Sequence, residues 1–322
     1  MMLPRIGVLI PYYQRTPEPL MRALESVERQ TGEEPVHVLI VDDESPCPAE
    51  PIVRQHFSHL KNIHILRQKN GGAGHARNTG LDQLPDSIEL VAFLDSDDEW
   101  TPDHLAHAVT VHDRGYDFYF ADHKRADWDT SRFAMATDLL AHQPCLDPAS
   151  ALHEYQGDAL SLVLGRNMIK TSSVVVRRSL VRDLRFPVNV IMGEDEAFWM
   201  QALHRTRKVA YCASIEVWMG SGVNISQGGD WGNERSFQLM AHRLQFWKQI
   251  HSFVPDVPGL RQMRTRKLQE LRQDFAGSVL YRLRRRQGIP VGPLAGFMRQ
   301  DPLWLFNLAA LMTRKLRGTL HS

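Results

Sequence analysis

Three carboxylates within four positions follow an apolar run in the segment FLDSDDEW, residues 93–100. They belong to Asp95, Asp97 and Asp98, and like charges this close repel one another unless a cation compensates them. Carboxylate oxygens are hard ligands that suit Mg²⁺ or Mn²⁺, and substrate phosphates usually complete the coordination shell of such an ion. A solvated acidic turn that caps the next helix is the alternative interpretation. Because other acids end neighbouring apolar runs, we favour a metal site.

Two more segments have residue types suited to a nucleotide. In VDDES, residues 41–45, an acid at the end of an apolar run can accept hydrogen bonds from a base imide or a ribose hydroxyl. A helix cap or a turn explains these residues equally well.

In NGGAGHARNTGL, residues 70–81, the glycines let the backbone approach a phosphate, and Arg77 offers a fork that fits a diphosphate. A loop before a helix, with Arg77 in a structural ion pair, is again an equal alternative.

A fourth acidic segment, GEDEAFWMQAL at residues 193–203, could supply a general base. Acids in the first turn of a helix are favoured by the helix dipole, so good capping is one interpretation. The other is a base presented at a helix N-terminus, because a carboxylate can take the proton of a sugar hydroxyl. The functional interpretations of the four segments are a metal site, two contacts to a nucleotide and a proton acceptor, and the structural alternatives stay open for the last three.

The scaffold predicted for these segments is an α/β fold with a mostly parallel sheet flanked by helices. Short apolar runs rich in β-branched residues alternate with segments of helical spacing, which is typical of strands joined by crossover helices. In such sheets ligands bind at the carboxyl ends of the strands, where this chain has Tyr12-Tyr13, Asp42-Asp43 and the acids of residues 95–98. The strands are predicted at residues 6–10, 36–41, 63–66, 90–94, 117–121 and 172–176.

Helices are predicted between and after these strands. One begins at Thr101, with Pro102 at its first helical position, and another covers residues 194–205. Residues 122–165 read as irregular, and the glycine-rich segment 220–232 is predicted to be a mobile loop. Apolar residues at helical spacing predict two amphipathic helices in the last third of the chain.

The charges of the chain are unevenly distributed. Its net charge is +1, but residues 261–322 hold 13 Lys and Arg and only 3 Asp and Glu. Basic and aromatic residues beside apolar runs suit a membrane surface with anionic headgroups. A helical appendage that packs on the catalytic domain or forms an oligomer interface is an equal alternative. The rest of the chain is acidic and has no recognisable motif that reads nucleic-acid bases. Both features argue against nucleic-acid binding.

Cysteine usage and the apolar runs bear on location. Cys47, Cys145 and Cys212 are odd in number and share no CxxC spacing, which predicts reduced, buried thiols in a cytosolic protein. The first apolar run is too short for a signal sequence, and residues 303–312 are about half the length needed to span a bilayer. We therefore expect a cytoplasmic protein that is soluble or peripheral on the inner face of the cell membrane.

The segments IPYYQR, VDDES, NGGAGHARNTGL, LDSDDEW and GEDEAFW occur in the order and spacing of family 2 glycosyltransferases. The chain resembles that family over roughly residues 4–226. The five segments together are a far more specific signal than any one of them alone. The run from VDDES to GYDFYFADH is most similar to bacterial succinoglycan-type exopolysaccharide glucosyltransferases. The resemblance implies a GT-A fold, with a catalytic domain at 1–230 and a C-terminal helical extension at 231–322.

The resemblance also implies roles in binding the donor and the metal. Tyr13 stacks on uracil and Asp43 holds its imide. Asp95 and Asp97 contact the ribose and the metal, and Asp98 is a third candidate ligand of Mn²⁺ or Mg²⁺. The other residues assigned to the UDP-sugar site are Pro11, Arg15, Gly74, Arg77 and Ser96.

Catalysis is implied to fall to the acidic pair of the fourth segment. Asp195 is the implied base, and Glu194 supports it or binds the acceptor. A single displacement inverts the anomeric configuration, so an α-linked UDP-sugar, with glucose as the implied sugar, yields a β-glycoside. In one departure, Ser221 stands nearest the place where many relatives have a metal-binding histidine. The metal then has fewer protein ligands, or Ser221 or Asn224 helps to hold it.

Two rival functions differ in what the sequence should contain. A sugar-phosphate nucleotidyltransferase normally carries a glycine-rich, basic loop after its first strand, where this chain has PYYQRTPEP. A non-catalytic nucleotide-sugar-binding module is the second rival, and the intact Asp95, Asp97 and Asp195 argue against it. The favoured function is transfer of a sugar from a UDP-sugar to a growing, lipid-linked oligosaccharide in exopolysaccharide biosynthesis.

Overall fold

A computed structural model describes residues 5–32, 34–164, 167–221, 232–254 and 259–310. The chain divides into two compact units. The first consists of Met1–Val188 and Phe198–Val223, and the second of Asn189–Ala197 and Asn224–Ser322. The domain boundary predicted at residue 230 lies outside the described residues. The second unit also takes in a short segment that the sequence assigns to the catalytic domain.

The first unit is built around one sheet. Its strands cross the sheet in the order β3-β2-β1-β4-β9-β6-β10-β8-β7, and β5 pairs with β10 off this path. All six predicted strands are present, although β6 extends further than expected and β9 begins two residues later. The strands are β1 (Ile6–Tyr12), β2 (Val36–Asp42), β3 (Ile63–Arg67), β4 (Leu90–Phe93), β5 (Glu99–Trp100), β6 (Phe118–Arg125), β7 (Cys145–Asp147), β8 (Leu152–Tyr155), β9 (Val174–Arg177) and β10 (Val209–Met219).

The directions of the strands decide which of their ends meet. β1 is parallel to β2 and β4, β2 is parallel to β3, and β6 is parallel to β10. β9 runs antiparallel to both β4 and β6, so those two strands point the same way. The predicted parallel part of the sheet is thus β3-β2-β1-β4, and the antiparallel pairs lie beyond it. The carboxyl ends of β1, β2, β3, β4, β6 and β10 share one edge, called the carboxyl edge below.

Helices flank this sheet. α4 begins at His104 and not at Thr101 as predicted, because the Thr101 amide donates to the Glu216 carbonyl at 2.9 Å and keeps the chain extended. The segment predicted to be irregular, as far as residue 164, contains the end of β6, a 3₁₀ turn at Phe133–Met135, the strands β7 and β8, and two short α-helices. The helices of this part of the chain are α1 (Glu18–Glu28), α2 (Ala49–His56), α3 (Ala73–Gln83), α4 (His104–Asp113), α5 (Thr137–Leu140), α6 (Ala159–Leu164), α7 (Arg178–Val181) and α8 (Glu194–Arg205).

The prediction of a helix at 194–205 is confirmed by α8, whose apolar residues join an aromatic cluster on the sheet. The Phe93 ring of β4 lies edge-on to Trp199, with ring centroids 5.1 Å apart, and Phe118 meets the same ring at 5.7 Å. Full burial of such side chains stabilises a fold by about 1.5–3 kcal/mol each. The cluster therefore packs Trp199 against β4, which leads into the acidic turn, and against β6.

The second unit is helical, as predicted, and contains α9 (Glu234–Phe253), α10 (Leu260–Arg284) and α11 (Val291–Gln300). Asn233 caps α9, because its side chain accepts a hydrogen bond from the Ser236 amide at 2.7 Å. The Phe297 ring stacks on Phe275 with centroids 3.7 Å apart, and the Phe237 ring lies edge-on to Phe275 at 5.1 Å, so the three helices meet at these rings. Within the described ranges, none of the helices combines the length and apolar character needed to cross a bilayer.

Two expectations need a correction or stay outside the described chain. Cys212 is buried and Cys47 is half-buried, but Cys145 is exposed. The prediction of buried thiols is wrong for Cys145 because β7 is a three-residue edge strand, paired on one side only. The predicted mobile loop falls almost entirely on residues 222–231, and that stretch, with Asn224, lies outside the described residues.

Candidate active site

The predicted nucleotide and metal residues of the first unit meet at the carboxyl edge. Tyr13 follows β1, Asp43 follows β2 and the acidic turn of residues 95–98 follows β4. Gln14 joins these ends, because its amide donates to Ser45 Oγ at 2.8 Å and its side chain donates to Ser96 Oγ at 3.1 Å. The ends of three neighbouring strands are thus tied by side chains as well as by the sheet.

The adjacent acids at the end of β2 perform different tasks. Asp42 is buried and accepts hydrogen bonds from the amides of Ser45 at 2.8 Å and Ala49 at 2.9 Å. Pro48 is the N-cap residue of α2, but Asp42 satisfies the free amide of Ala49 at the start of that helix, in agreement with the capping interpretation of VDDES. Asp43 instead accepts from the amides of Gly71 at 2.9 Å and Gly72 at 2.8 Å. Asp43 therefore holds the glycine-rich loop in front of α3.

The end of β1 presents one buried and one exposed tyrosine. The Tyr12 hydroxyl donates to the Cys47 carbonyl at 2.6 Å, and burial raises the pKa of this hydroxyl well above its usual value. The neighbouring Tyr13 is 38% exposed, so its ring is accessible at the carboxyl edge. Pro11 is buried in β1, and Arg15 is exposed. Of these predicted residues, Tyr13 and Arg15 have exposed side chains.

Asp95 begins the acidic turn and pairs with α3. Arg77 Nη2 lies 2.5 Å from Asp95 Oδ1, and the Arg77 guanidinium sits 5.3 Å from the centre of the Phe186 ring. Burial opposes ionisation of Asp95, but the charges of Arg77 and Lys170 outweigh it and lower its pKa. Arg77 is therefore in the ion pair expected for a structural role, and this pair is also part of the site.

Asp98 ends the turn and is held on both of its oxygens. Ser172 Oγ donates to Oδ2 at 2.5 Å, and the Gly220 amide donates to Oδ1 at 2.9 Å. Burial, joined by the charges of Asp95 and Asp97, raises the pKa of Asp98 to about 7. Asp98 does not cap α4, whose N-cap is Asp103.

A buried polar cluster fixes the chain just after the turn. The Trp100 indole donates to the Ser172 carbonyl at 2.6 Å, and its ring packs on His104 with centroids 4.8 Å apart. Glu216, from β10, lies 2.8 Å from His104 Nδ1 and 2.5 Å from His107 Nδ1. The Tyr119 hydroxyl donates to the same carboxylate at 2.5 Å. This network, which the sequence did not predict, anchors β5 behind the acidic turn.

The first turn of α8 carries the predicted catalytic acids and belongs to the second unit. Gly193 has a φ of 92°, which favours glycine, and it leads into Glu194 and Asp195. The Glu196 amide donates to Asp195 Oδ1 at 2.8 Å. Glu196 itself pairs with Arg243 of α9 at 2.6 Å, and burial raises its pKa despite that partner. Glu196 therefore has a structural partner, and the roles of Glu194 and Asp195 remain predictions.

Several residues of the site were not found from the sequence. They orient the predicted residues through hydrogen bonds from side chains or the main chain, or through charge. Serine, glutamine and lysine are too common for one of them to stand out in a loop, so only their proximity in the fold reveals them. The residues are Gln14, Ser45, Gln68, Lys170, Ser172 and Gly220.

Similarity to known proteins agrees with this arrangement. The model of the family described as glycosyl transferase family 2 matches residues 7–178. The succinoglycan biosynthesis protein ExoW of Rhizobium meliloti (strain 1021) is 32% identical over 324 residues, which cover 97% of this chain and 99% of that protein. The chain belongs to glycosyl transferase family 2. The amylovoran biosynthesis glycosyltransferase AmsB of Erwinia amylovora is 29% identical to this family 2 chain over 195 residues, 59% of this chain and 60% of AmsB.

Solved structures of other proteins share the fold of this family 2 chain. TarS 1-349 from S. aureus in complex with UDP-GlcNAc has a TM-score of 0.61 at 17% identity, covering 94% of this chain and 81% of TarS. The mannosyltransferase PcManGT from Pyrobaculum calidifontis, in complex with GDP-Man and Mn²⁺, has a TM-score of 0.57 at 16% identity, covering 95% and 86%. The predicted GT-A fold is thereby confirmed.

The acidic turn of this family 2 chain has the chemistry of a divalent cation site. Asp95 and Asp97 are only partly buried, and their charges raise the pKa of the neighbouring Asp98. This mutual repulsion is what a bound cation would relieve. Carboxylate oxygens suit Mg²⁺ or Mn²⁺ when substrate phosphates supply further ligands. The residues present therefore fit such an ion.

Proposed function

We propose that this chain is an inverting, metal-dependent glycosyltransferase that moves one sugar, with glucose as the first candidate, from a UDP-sugar to an oligosaccharide hydroxyl. The observation that carries the proposal is the meeting of Tyr13, Asp43, Arg77 and the acidic turn at one edge of the sheet. They offer an aromatic ring, carboxylate acceptors and a cationic fork, which suit a nucleoside diphosphate. The UDP-GlcNAc bound to TarS and the GDP-Man bound to PcManGT support a nucleotide-sugar donor.

In this proposal the donor nucleotide lies over the ends of β1 and β2. Tyr13 stacks on uracil, and Asp43 accepts a hydrogen bond from its imide. Asp43 Oδ1 already accepts from Gln68 and Gly71, but Oδ2 accepts only from Gly72 among the contacts of the described residues. Each carboxylate oxygen can accept two hydrogen bonds, so Oδ2 has capacity for the imide. The other proposed donor contacts are Pro11, Arg15, Gly74, Arg77 and Ser96.

The proposed metal is Mn²⁺ or Mg²⁺, with Asp97 and Asp95 as its protein ligands. When bound, the ion supplies Lewis-acid neutralisation of the charge that develops on the departing diphosphate. Arg77 holds Asp95 ionised for contact with the ion or the ribose. The Mn²⁺ of PcManGT supports a metal-dependent reaction.

Proton transfer is assigned to Asp195. Its carboxylate removes the acceptor hydroxyl proton as the hydroxyl oxygen attacks the anomeric carbon from the face opposite UDP. The bond between the anomeric carbon and the diphosphate oxygen breaks in the same step, so the configuration inverts. Glu194 is proposed to support Asp195 or to bind the acceptor.

Kinetics of point variants test this assignment. Asp195→Asn should fold and bind UDP with Mn²⁺ normally, while transfer falls by roughly 10³-fold, because general base catalysis contributes on that order. Asp97→Asn should instead weaken Mn²⁺-dependent UDP binding. Asp183→Asn, which breaks an exposed ion pair with Arg205, is the matched control and should leave both properties unchanged. Near-normal transfer by Asp195→Asn would remove Asp195 from the role of base.

The donor and acceptor are identified by a screen. UDP-sugars are offered one at a time with Mn²⁺, and a lipid extract of bacterial membranes serves as the acceptor source. We expect one UDP-sugar to release UDP in an extract-dependent manner and to label a lipid-extractable product. Release of pyrophosphate from a nucleoside triphosphate and a sugar phosphate would identify a nucleotidyltransferase instead. Labelling of water-soluble glycans without any lipid-extractable product would argue against a lipid-linked acceptor.

A membrane surface is the proposed partner of the second unit, at the cytoplasmic face of the cell membrane. Arg284, Arg285 and Arg286 are exposed at the end of α10. Exposed apolar side chains follow them, including Val291 at 77% and Phe306 at 73% exposure. Cationic and apolar side chains exposed together suit the interface of an anionic bilayer. A lipid-linked acceptor would then be presented to the enzyme at that surface.

Flotation with vesicles tests this part of the proposal. The intact chain should float with vesicles that contain phosphatidylglycerol and not with purely zwitterionic ones. Arg284→Glu combined with Phe306→Ser should abolish flotation, whereas Arg261→Glu, an exposed change at the other end of α10, should not. A chain that stays in solution but sediments as a dimer disrupted by the same two changes would identify an oligomer interface instead.

A further inference from the structure

Asp98 connects the acidic turn to two other parts of the first unit. Its side chain is 3% exposed, and it accepts one hydrogen bond from Ser172 Oγ, at 2.5 Å, and one from the Gly220 amide, at 2.9 Å. Ser172 precedes β9 by two residues, and Gly220 follows β10 directly. Asp98 therefore links the end of β4 with the start of β9 and the end of β10.

Ser172 holds both ends of the acidic turn. While its hydroxyl donates to Asp98, the same oxygen accepts a hydrogen bond from the Asp95 amide at 3.0 Å. The turn is closed internally by the Asp98 amide, which donates to the Asp95 carbonyl at 3.0 Å. Because Ser172 is itself fully buried, these bonds are shielded from water and hold the turn in one conformation.

Gly220 lies directly against the main-chain carbonyl of Asp97. A side-chain carbon added to Gly220 would lie 1.7 Å from the Asp97 carbonyl oxygen, a distance at which two atoms cannot coexist. Only glycine lets the chain leaving β10 pass so close to this peptide. The contact and the hydrogen bond to Asp98 together fix the peptide that carries the Asp97 side chain.

Exposure separates Asp98 from the other acids of the turn. Asp95 keeps 21% of its side chain exposed and Asp97 is likewise only partly buried, so both can reach an ion that also binds substrate phosphates. The buried oxygens of Asp98 face Ser172 and Gly220 instead. Hydrogen bonds to an ionisable carboxylate are among the stronger ones, which suits a residue that sets the position of its neighbours.

We propose that Asp98, Ser172 and Gly220 form a clamp that positions Asp97 and Asp95 for the metal, and that Asp98 is a positioning residue and not a metal ligand. The inference rests on the proposed metal-dependent binding of UDP. The clamp works by hydrogen bonds that a neutral amide can also make. An asparagine at position 98 can accept from the Gly220 amide with its oxygen and donate to Ser172 with its nitrogen.

The test is the affinity for Mn²⁺ in the presence of UDP, measured from the electron paramagnetic resonance signal of free Mn²⁺. Asp98→Asn should bind within about threefold of the unchanged chain. Asp98→Ala should bind about tenfold or more weakly, because losing a hydrogen bond to a charged group costs that much. Asp97→Asn, which removes a ligand, should lose on the order of 100-fold.

Two serine variants provide a matched comparison, which still tests the clamp if Asp98→Ala fails to fold. Ser172→Ala should weaken Mn²⁺ binding as Asp98→Ala does. Ser173→Ala should not, although Ser173 is equally buried in the same turn, because its hydroxyl donates to the Lys170 carbonyl. Binding by Asp98→Asn as weak as by Asp97→Asn, or normal binding by Ser172→Ala, would overturn the clamp. Failure of the unchanged chain to bind Mn²⁺ with UDP would instead overturn the proposed function.

Discussion

Arg77 and Asp95 form a short ion pair that joins α3 to the acidic turn, with Nη2 and Oδ1 2.5 Å apart. Only 5% of the Arg77 side chain is exposed, and its guanidinium lies over the Phe186 ring. The pair keeps Asp95 ionised, since the charge of Arg77 lowers its pKa against the effect of burial. Asp95 and Phe186 thus hold the Arg77 guanidinium in one position at the side of the site. A diphosphate would have to come to that position to contact it.

Replacing Arg77 should destabilise the fold. Arg77→Met keeps the apolar stem against Phe186 but leaves Asp95 without its guanidinium, and breaking such a pair costs about 3–5 kcal/mol. The free energy of unfolding in urea, measured without metal, should fall by that order. Arg185→Met, which breaks an exposed ion pair with Asp82, should change it by no more than about 1 kcal/mol. Equal effects of the two changes would show that the Arg77 pair is not special.

Removing the Asp43 carboxylate should release the glycine-rich loop. Asp43→Ala deletes the acceptor of the Gly71 and Gly72 amides, and hydrogen bonds to a charged group contribute about 1.5–3 kcal/mol each. Hydrogen exchange of peptides covering residues 68–74 should become faster, and UDP affinity should drop at least about tenfold. Glu50→Ala, an exposed change in α2, should do neither. Unchanged exchange in Asp43→Ala would mean that other contacts hold the loop.

Adding a methyl group to Gly220 should disturb the acidic turn. Gly220→Ala places a carbon on the Asp97 carbonyl oxygen, so either the chain after β10 or the turn must move. Mn²⁺-dependent UDP binding should be lost while the chain stays folded by circular dichroism. Gly296→Ala in α11, where nothing lies within 4 Å, is the control and should bind normally. Normal binding by Gly220→Ala would show that the turn tolerates the shift.

The Glu216 network should make stability depend on pH in a specific window. Burial alone would raise the pKa of Glu216, but hydrogen bonds from His104 and His107 lower it to about 2. The hydrogen bond to Glu216 raises the pKa of His107 against the effect of burial. The Glu216 contribution is therefore present above its unfolded pKa of 4.5 and lost as pH falls towards 2. The His107 contribution is present below 6.5 and lost as pH rises through its raised folded pKa.

Urea unfolding from pH 3 to pH 8 checks this window, with Glu216→Gln as the comparison. The difference in unfolding free energy between the two chains should be largest between the two unfolded pKa values. Below pH 4.5 it should shrink, by on the order of 2 kcal/mol at pH 3, which is part of the roughly 3 kcal/mol that corresponds to lowering the pKa of Glu216 from 4.5 to about 2. A difference that does not vary with pH would refute the ionised network.

The parts of the site predicted from the sequence are those encoded locally. Apolar β-branched runs ending in acids indicated both the strands and the edge at which their ends meet, and Arg77 was singled out with its ion pair as an open alternative. The sequence could not separate Asp42 from Asp43. Which one caps α2 depends on the face of β2 from which each side chain projects, and the partners of Asp43 lie 28 and 29 residues further along.

The remaining parts depend on contacts between distant residues. Ser172 and Gly220 are separated from Asp98 by 74 and 122 positions, and neither residue type is unusual in a loop. The run of three valines in β9 predicted a strand but not its direction, because burial on both faces is compatible with either. The Glu216 network was missed for the same reason, since histidines of α4 meet a β10 carboxylate only after folding.

Asp43 holds the loop before α3 through main-chain amides, and this has a consequence for how the enzyme can change. Among the contacts of the described residues, the hydrogen bonds to the Asp43 carboxylate come from Gln68, Gly71 and Gly72, so the exposed Lys69 can vary without removing any of them. Substitutions at such exposed positions should therefore change the chemistry of the loop before α3 with little effect on its conformation. A saturation library at Lys69 and Arg15, with Asp43 left intact, should therefore keep the loop in place while variants are screened for UDP-sugar binding.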